Sequence, residues 1–312
     1  MNKNRNYGYY PGCSLEVSAC EYDGSVRMAY KHMSVGLKEI PDWTCCGASA
    51  AEAVSRLLAL ALPARNLARA EMNGMDEIMV PCSACYLNLR KVYEECRESK
   101  SVLAEVNEAL SAESLSYEGR AAPKHLLWSL VEDVGVEEIR ARVYRPLNNM
   151  VVAPYYGCQA LRPYVRFDDP ERPRSMHRIL RALGAEVLEW DKSASCCGAS
   201  LSTTKPEAAM RDIAAILDAS RGADAIATVC PMCQLNLEAF QKRAARFSRT
   251  GLRQTIIYLP QLMCLAFGYD EDKAMLNKNM ALTSGFLEKI RGRGAIEKDD
   301  AAEPGKEAAE AG

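Results

Sequence analysis

The chain has 312 residues, a length that is typical of about two domains. Charged residues make up 26% of the chain and its formal net charge is −2, which excludes a disordered polypeptide and a strongly basic nucleic-acid binder. Cysteine is the unusual residue. There are 13 cysteines and only 3 histidines, so thiolate chemistry or soft-metal binding is favoured over histidine-based acid–base catalysis.

The start of the chain and its apolar stretches indicate the compartment. No apolar segment follows the basic N-terminus, and the longest apolar stretch, 57–64, is far shorter than the roughly 20 residues that span a bilayer. We therefore expect a cytoplasmic protein without a transmembrane segment. In a reducing cytoplasm, thiols serve metal binding or catalysis more often than structural disulfides.

Ten cysteines occur in two copies of one pattern: a single cysteine, an adjacent pair within CCGAS, and a CxxC motif. The first cysteine set comprises Cys13, Cys45, Cys46, Cys82 and Cys85. The second cysteine set comprises Cys158, Cys196, Cys197, Cys230 and Cys233. Equivalent cysteines lie 145, 151 and 148 residues apart and their flanking residues also repeat, so the chain contains two duplicated domains.

Short apolar segments alternate with amphipathic ones in both copies. The predicted strands cover 76–80, 150–156, 185–190, 223–229 and the start of 255–268. The predicted helices cover 51–73, 172–184, 206–221 and 233–247. This alternation predicts an α/β fold in which each copy forms a small, mostly parallel sheet with flanking helices. The cysteines would lie where strands end and helices begin.

The repeat also suggests the domain boundaries. We expect an N-terminal domain over 1–145, which includes a polar helical spacer over 99–145, and a C-terminal domain over 146–294, related by pseudo-twofold symmetry. The remaining segment, 295–312, is charged and rich in alanine and glycine, which predicts a disordered tail.

Three kinds of chemistry compete for the five cysteines of each copy. Disulfides are disfavoured because adjacent cysteines can form only a strained ring. A structural zinc site is a weaker alternative, since it needs four ligands and would leave a fifth thiol over. An iron–sulfur cluster is favoured because thiolates are its usual ligands and a CxxC motif before a helix brings two of them to one cluster.

The repeated pattern of single cysteine, CCG and CxxC resembles the CCG domains that occur twice in one subunit of the heterodisulfide reductase family. The resemblance extends from about residue 7 to residue 268. It implies a noncubane [4Fe-4S] cluster in each half, bound by all five cysteines of each set. It further implies that the two clusters face each other across a cavity in which a disulfide is split. The second copy has 32 residues between Cys197 and Cys230 where the first has 35, a difference in the cavity wall that leaves the ligand set intact.

The resemblance also implies partners. The chain has no GxGxxG or Walker A motif, so its electrons must be exchanged with another protein. The family implies a ferredoxin-like subunit with [4Fe-4S] clusters and a flavin-containing subunit. The leading hypothesis is the catalytic subunit that reduces, or reversibly forms, a small disulfide. The alternatives are a cluster-bearing electron-transfer subunit of a larger quinone- or hydroxyacid-linked complex, and a zinc-stabilised scaffold.

The remaining candidates are weaker. Tyrosines near the single cysteines could donate protons, but we expect them to pack in the core, and the three histidines to be surface or structural residues. Gly47 and Gly198 are predicted to let a cluster approach the backbone closely. The basic stretches 162–178 and 242–253 contain few aromatic residues, so we expect no nucleic-acid partner. The three cysteines outside the sets are expected to be small buried residues: Cys20, Cys96 and Cys264.

Overall fold

Two parallel four-stranded sheets, one in each half of the chain, form the framework of the protein. The computed structural model describes residues 5–48, 50–251 and 253–293. The predicted α/β class and the duplication are both confirmed. The predicted tail over 295–312 lies outside the described residues.

The strands of the first sheet have the order β2-β1-β3-β4, and all three pairings are parallel. They are β1 (Asn6–Tyr9), β2 (Gly36–Glu39), β3 (Glu77–Val80) and β4 (Ala122–His125). The second sheet has the equivalent order β6-β5-β7-β8, also parallel throughout. Its strands are β5 (Val151–Tyr155), β6 (Glu186–Val187), β7 (Ala225–Thr228) and β8 (Thr255–Tyr258).

Helices connect the strands of the first sheet and continue beyond it. They are α1 (Cys13–Val17), α2 (Cys20–His32), α3 (Ala51–Val54), α4 (Arg56–Met72), α5 (Ser83–Glu98), α6 (Lys100–Leu110), α7 (Leu126–Trp128) and α8 (Val136–Ala141). A π-helical turn, Ser129–Gly135, joins α7 to α8. The break between α3 and α4 has a local cause, because the Ser55 hydroxyl accepts a hydrogen bond from the Leu58 N–H and caps α4.

The helices of the second half lie between its strands and after its last strand. They are α9 (Ser175–Ala182), α10 (Pro206–Ala219), α11 (Pro231–Ala239), α12 (Gln241–Ala244), α13 (Leu259–Ala266) and α14 (Ser284–Arg291). Pro206 and Pro231 each stand in the first turn of a helix, where a missing N–H costs no hydrogen bond. No helix in the described residues is long and apolar enough to cross a bilayer.

The segment 99–145 differs from the predicted helical spacer. It contains β4, which pairs with β3 in the register Glu77↔Ala122 to Val80↔His125 and completes the first sheet. Pro123 argues against a strand in the sequence, because proline lacks the N–H that a central strand donates. It is tolerated here because β4 is an edge strand.

The two halves share the larger of two hydrophobic clusters, and the smaller one lies within the second half. A single cluster of buried side chains includes residues of both sheets, and α2 of the first half packs against α13 of the second. At this junction the Cys264 Sγ lies 3.5 Å from the Ser25 carbonyl oxygen. The halves are therefore held in a fixed relative position.

Candidate functional site

All ten repeated cysteines lie at the carboxyl edges of the two sheets. The single cysteines follow β1 and β5, the adjacent pairs follow β2 and β6, and the CxxC motifs follow β3 and β7. Because parallel strands present their carboxyl ends at one edge, each set is gathered there, which is the usual place for a site in such sheets.

The sulfurs of the first set lie close to one another. Cys13 Sγ is 3.7 Å from Cys45 Sγ, and Cys46 Sγ is 3.4 Å from Cys85 Sγ. The thiol of Cys82 also interacts with that of Cys85, and this contact completes the group of five. Cys13 and Cys45 are exposed whereas the other three are buried, so the set is open to solvent at one end.

The second set repeats this arrangement around a cavity. Cys197 Sγ lies 3.5 Å from Cys233 Sγ, and Cys230 interacts with Cys233. The hydrogen bond from Cys158, together with the Gly198 N–H, lowers the pKa of Cys196 to about 6. All five cysteines line one partly open cavity.

The two sets meet through their CxxC motifs. Cys230 interacts with Cys82 across the junction of the two halves and raises the pKa of the Cys82 thiol. Both residues are only 3% exposed, so this contact is shielded from water. The two sets are therefore in direct contact at this point, whereas the cavity expected between two clusters stays a prediction.

Glycines before the single cysteines make room for sulfur. Gly12 has φ +77° and Gly157 has φ +67°, backbone conformations that favour glycine. A Cβ at Gly12 would lie 2.9 Å from Cys85 Sγ, and one at Gly157 would lie 3.2 Å from Cys233 Sγ. Gly12 and Gly157 therefore let the backbone lie close to a cysteine sulfur, and we call these two positions the sulfur cradle. The sequence analysis did not assign this role to them.

The glycines after the adjacent pairs adopt a backbone conformation that favours glycine, while the approach of a cluster to them stays a prediction. Gly47 and Gly198 have φ values of +73° and +72°. The Gly47 N–H points to Cys45 Sγ at 3.5 Å, and the Gly198 N–H points to Cys196 Sγ at 3.3 Å. Hydrogen bonds of this kind stabilise a thiolate over a thiol.

Tyrosines fix the loops that carry the adjacent pairs. The Tyr10 hydroxyl donates to the Thr44 carbonyl at 2.7 Å, and the Tyr155 hydroxyl donates to the Ser195 carbonyl at 2.6 Å. Because each phenol is buried with its proton already used, the packing role expected for these tyrosines is the one that the structure shows.

Two asparagines hold the other side of the same loops. Asn88 Nδ2 donates to the Cys46 carbonyl at 3.1 Å, and Asn236 Nδ2 donates to the Cys197 carbonyl at 2.6 Å. The sequence analysis assigned them no role. Their signal is the shared CxxCxLNL sequence, in which the asparagine repeats with the cysteines.

The residues outside the sets have structural surroundings. Burial raises the pKa of Cys96 to about 11 and that of Cys264 to about 12, as expected for small buried residues. Cys20 is only half-buried. His125 and His177 are buried and hydrogen-bonded, and burial lowers the pKa of both.

The donor set fits an iron–sulfur core. The five thiols of the second set line one cavity, a glycine N–H is aimed at a cysteine sulfur in both sets, and thiolates are the standard ligands of such clusters. Within the described ranges, no three His, Cys, Asp or Glu side chains converge as ligands of a single metal ion.

Comparisons with known proteins agree with this geometry. Residues 7–90 and 152–238 match the CCG family, described as "Cysteine-rich domain". The chain is 33% identical to the 8-methylmenaquinol:fumarate reductase membrane anchor subunit of Wolinella succinogenes, over 88% of this chain and 97% of that protein. It is 28% identical to a heterodisulfide reductase subunit-like protein of Archaeoglobus profundus, over 86% and 92% of the two chains.

Two further matches extend these comparisons. The chain is 24% identical to one subunit of the ferredoxin:CoB-CoM heterodisulfide reductase of Methanosarcina mazei, over 93% of this chain and 97% of that one. The crystal structure of a hypothetical protein from Helicobacter pylori matches the fold with a TM-score of 0.71 at 16% identity. The match covers 91% of this chain and 53% of that one. The chain therefore belongs to the cysteine-rich CCG family, as a two-domain member related to the CCG-containing subunit of heterodisulfide reductases and to other reductase subunits.

Proposed function

We propose that this chain is the catalytic iron–sulfur subunit of a heterodisulfide reductase-like complex, and that it reduces or reversibly forms a small disulfide. In this proposal the first and second cysteine sets each bind one noncubane [4Fe-4S] cluster through all five thiols. The contact between Cys82 and Cys230 carries the proposal, because it brings the two sets together at one buried junction.

The cysteines of the two sets differ in their exposure to solvent, and we assign them different roles on that basis. Cys82 and Cys230 are buried and keep water from the junction, whereas Cys45 and Cys196 are exposed at the outer ends of the sets. Splitting RS–SR′ takes up two electrons and two protons and releases RSH and R′SH. Two bound clusters would supply one electron each. The duplication then has a chemical reason, since each half-site serves one end of the bond.

The proposed partners follow from the chemistry that the chain lacks. Its described residues hold no nucleotide-binding loop of the kind that cradles a flavin or nicotinamide, and the related proteins are named as subunits. We propose that a ferredoxin-like subunit with [4Fe-4S] clusters is the electron donor, and that it is reduced in turn by a flavin-containing subunit.

Anaerobic purification with iron and sulfide analysis tests the cofactor. We expect about eight iron atoms and eight acid-labile sulfides per chain. Cys82→Ser and Cys230→Ser should each remove about half of the iron, while Cys264→Ser, a matched change at a buried cysteine outside both sets, should remove none. A colourless wild-type protein without iron, or equal losses in all three variants, would contradict the assignment.

A second candidate function is supported by the Wolinella relative, which is named as a subunit of a fumarate reductase and is 33% identical over most of both chains. In that case the chain would relay electrons within a larger membrane-associated complex and would split no disulfide. Single-turnover assays separate the two functions. Reduced protein that releases two thiols per disulfide supports the reductase. Reduced protein that releases none but is reoxidised by a quinone or by a flavoprotein partner supports the relay.

A further inference from the structure

One buried tyrosine stands between the two CxxC motifs. The hydroxyl of Tyr22, near the start of α2, lies 2.9 Å from the carbonyl oxygen of Pro81 and 3.0 Å from that of Val229. Pro81 and Val229 are equivalent residues of the repeat, since each directly precedes the first cysteine of its CxxC motif. One phenol therefore joins the two halves at the peptides that lead into Cys82 and Cys230.

A stacked ring holds this phenol in place. Tyr22 lies face to face on Tyr258 of the second half, with centroids 4.1 Å apart and ring planes 2° from parallel, and both side chains are almost fully buried. Burial raises the pKa of Tyr22, so the hydroxyl keeps its hydrogen. Because a close-packed interior leaves a stacked ring little freedom to move, the hydroxyl is fixed between the two carbonyls.

The equivalent position in the other half carries no second phenol. There, Phe167 stacks on His125 with centroids 5.8 Å apart. Tyr22 and Phe167 each stand nine residues after the single cysteine of their half. Tyr258 and His125 each end the fourth strand of their sheet. The two stacked pairs are therefore related by the pseudo-dyad, and since phenylalanine has no hydroxyl, one phenol serves both equivalent carbonyls.

A second hydroxyl supports the Val229 carbonyl. Ser83 Oγ lies 3.3 Å from that carbonyl oxygen, and His125 Nε2 lies 3.1 Å from Ser83 Oγ. Ser83 belongs to the first half, as Tyr22 does, so two hydroxyls attach the second CxxC motif to the first half. The Tyr22 hydroxyl reaches the Pro81 carbonyl as well, and it thereby links the two motifs to each other.

Loss of the shared hydrogen would push the two motifs apart. Both carbonyl oxygens carry partial negative charge and point to the same hydroxyl. Without a hydrogen between them they repel each other, and this repulsion is stronger in a buried site of low dielectric than in water. Since Cys82 and Cys230 directly follow these carbonyls, the separation of the two cysteine sets depends on the Tyr22 hydroxyl.

We propose that Tyr22 is a positioning residue, which sets the separation of the two iron–sulfur clusters through its shared hydrogen bond to both CxxC motifs. The inference rests on the cluster proposed for each cysteine set, and it does not depend on which molecule the clusters reduce. Tyr22 is fully buried, so it acts through the cysteines that follow the two carbonyls and not by contact with a substrate.

Electron paramagnetic resonance of the anaerobic, iron-loaded protein tests this inference, at a potential where both clusters are paramagnetic. Two paramagnetic clusters that lie close together split each other's signals, and the splitting falls steeply as they separate. Tyr22→Phe keeps the ring and its stacking but removes the shared hydrogen. We expect this variant to retain full iron and to show a narrower splitting than the wild type.

Two variants separate positioning from a general loss of packing. Tyr30→Phe is the matched control, because Tyr30 lies buried on the same helix and its hydroxyl bonds to Ser129 instead of a CxxC motif. It should keep the wild-type splitting. Tyr22→4-aminophenylalanine carries two N–H hydrogens, one for each carbonyl, and should restore the splitting that Tyr22→Phe loses.

Reduction of bis(2-hydroxyethyl) disulfide gives an independent measurement. A small misplacement of two half-sites that must meet both ends of one bond slows the reaction steeply. Tyr22→Phe should therefore lower the rate at saturating disulfide by on the order of tenfold, and it should leave the half-saturating concentration near the wild-type value.

The outcomes distinguish this inference from the proposed function. An unchanged splitting in Tyr22→Phe, or equal narrowing in Tyr22→Phe and Tyr30→Phe, would overturn the role of Tyr22 alone. Wild-type protein with iron in both sets but no magnetic interaction would overturn the close approach of the clusters, and with it both proposals. A wild-type splitting that narrows only in Tyr22→Phe, in a protein that releases no thiol from a disulfide, would support the role of Tyr22 and overturn the reductase function.

Discussion

Gly12→Ala should expel iron from the first cysteine set through one added methyl group. The new Cβ would lie 2.9 Å from Cys85 Sγ, which is closer than real Cβ contacts, and a sulfur bound to iron cannot retreat as a free side chain could. The positive φ of Gly12 adds a backbone cost of about 1–3 kcal/mol for any other residue. We expect the variant to lose about half of the total iron, since the second set is untouched.

Gly74→Ala supplies the matched control. Gly74 has φ +67°, yet a Cβ there would meet nothing within 4 Å, so the backbone cost remains and the sulfur contact is absent. Gly157→Ala and Gly222→Ala repeat the comparison in the second half, with a milder 3.2 Å contact to Cys233 Sγ at Gly157 and none at Gly222.

Iron analysis and urea unfolding measure the two effects separately. Gly12→Ala and Gly74→Ala should both lower the free energy of unfolding by about 1–3 kcal/mol, and only Gly12→Ala should lose iron. If Gly74→Ala loses as much iron as Gly12→Ala, backbone strain explains the loss and the sulfur cradle is refuted. Full iron in Gly12→Ala would refute it equally.

Two further predictions concern stability. Tyr22→Phe removes the phenol donor of the buried Pro81 carbonyl and one of the two hydroxyl donors of the Val229 carbonyl, and should lower the free energy of unfolding by about 1–3 kcal/mol. Tyr117→Phe, whose buried hydroxyl has no partner among the described residues, should cost less than half as much by urea unfolding. Burial lowers the pKa of His125 to about 3 and of His177 to about 4, and raises the pKa of Glu238 to about 7. Between pH 6.5 and 4.5 the unfolded chain then binds two histidine protons that the native state lacks, and the native state holds one carboxyl proton that the unfolded chain lacks. This net proton should lower the free energy of unfolding by about 1.4 kcal/mol per pH unit of acidification. Glu238→Gln should steepen the fall, and an identical slope in that variant would contradict the sign.

The sequence predicted the class of fold and the grouping of the ten cysteines because both depend on local signals that occur twice. Apolar strands followed by helices put the motifs at one sheet edge, and the repeat identified which cysteines belong together. The strand Ala122–His125 escaped detection because it has only four residues, includes a proline, and owes its conformation to pairing with β3. No local pattern reports a pairing partner.

The contact between His125 and Ser83 was equally hidden from the sequence. His125 and Ser83 are 42 residues apart and meet only when β4 joins the first sheet beside β3. Taken alone, a histidine outside every motif predicts a structural residue. Alignment of the fourth strands shows that His125 stands where the other half has Tyr258, but that alignment needs the strand itself, which the sequence does not reveal.

The stacked rings have a consequence for the origin of the molecule. Tyr22 of one half lies on Tyr258 of the other, and Phe167 of that half lies on His125 of the first. Such reciprocal contacts have the form of an isologous interface between identical subunits, the geometry expected if a homodimeric single-repeat polypeptide is duplicated within one chain. The two pairs have diverged, since one consists of two tyrosines and the other joins a phenylalanine to a histidine, so only one side of the pseudo-dyad carries an imidazole.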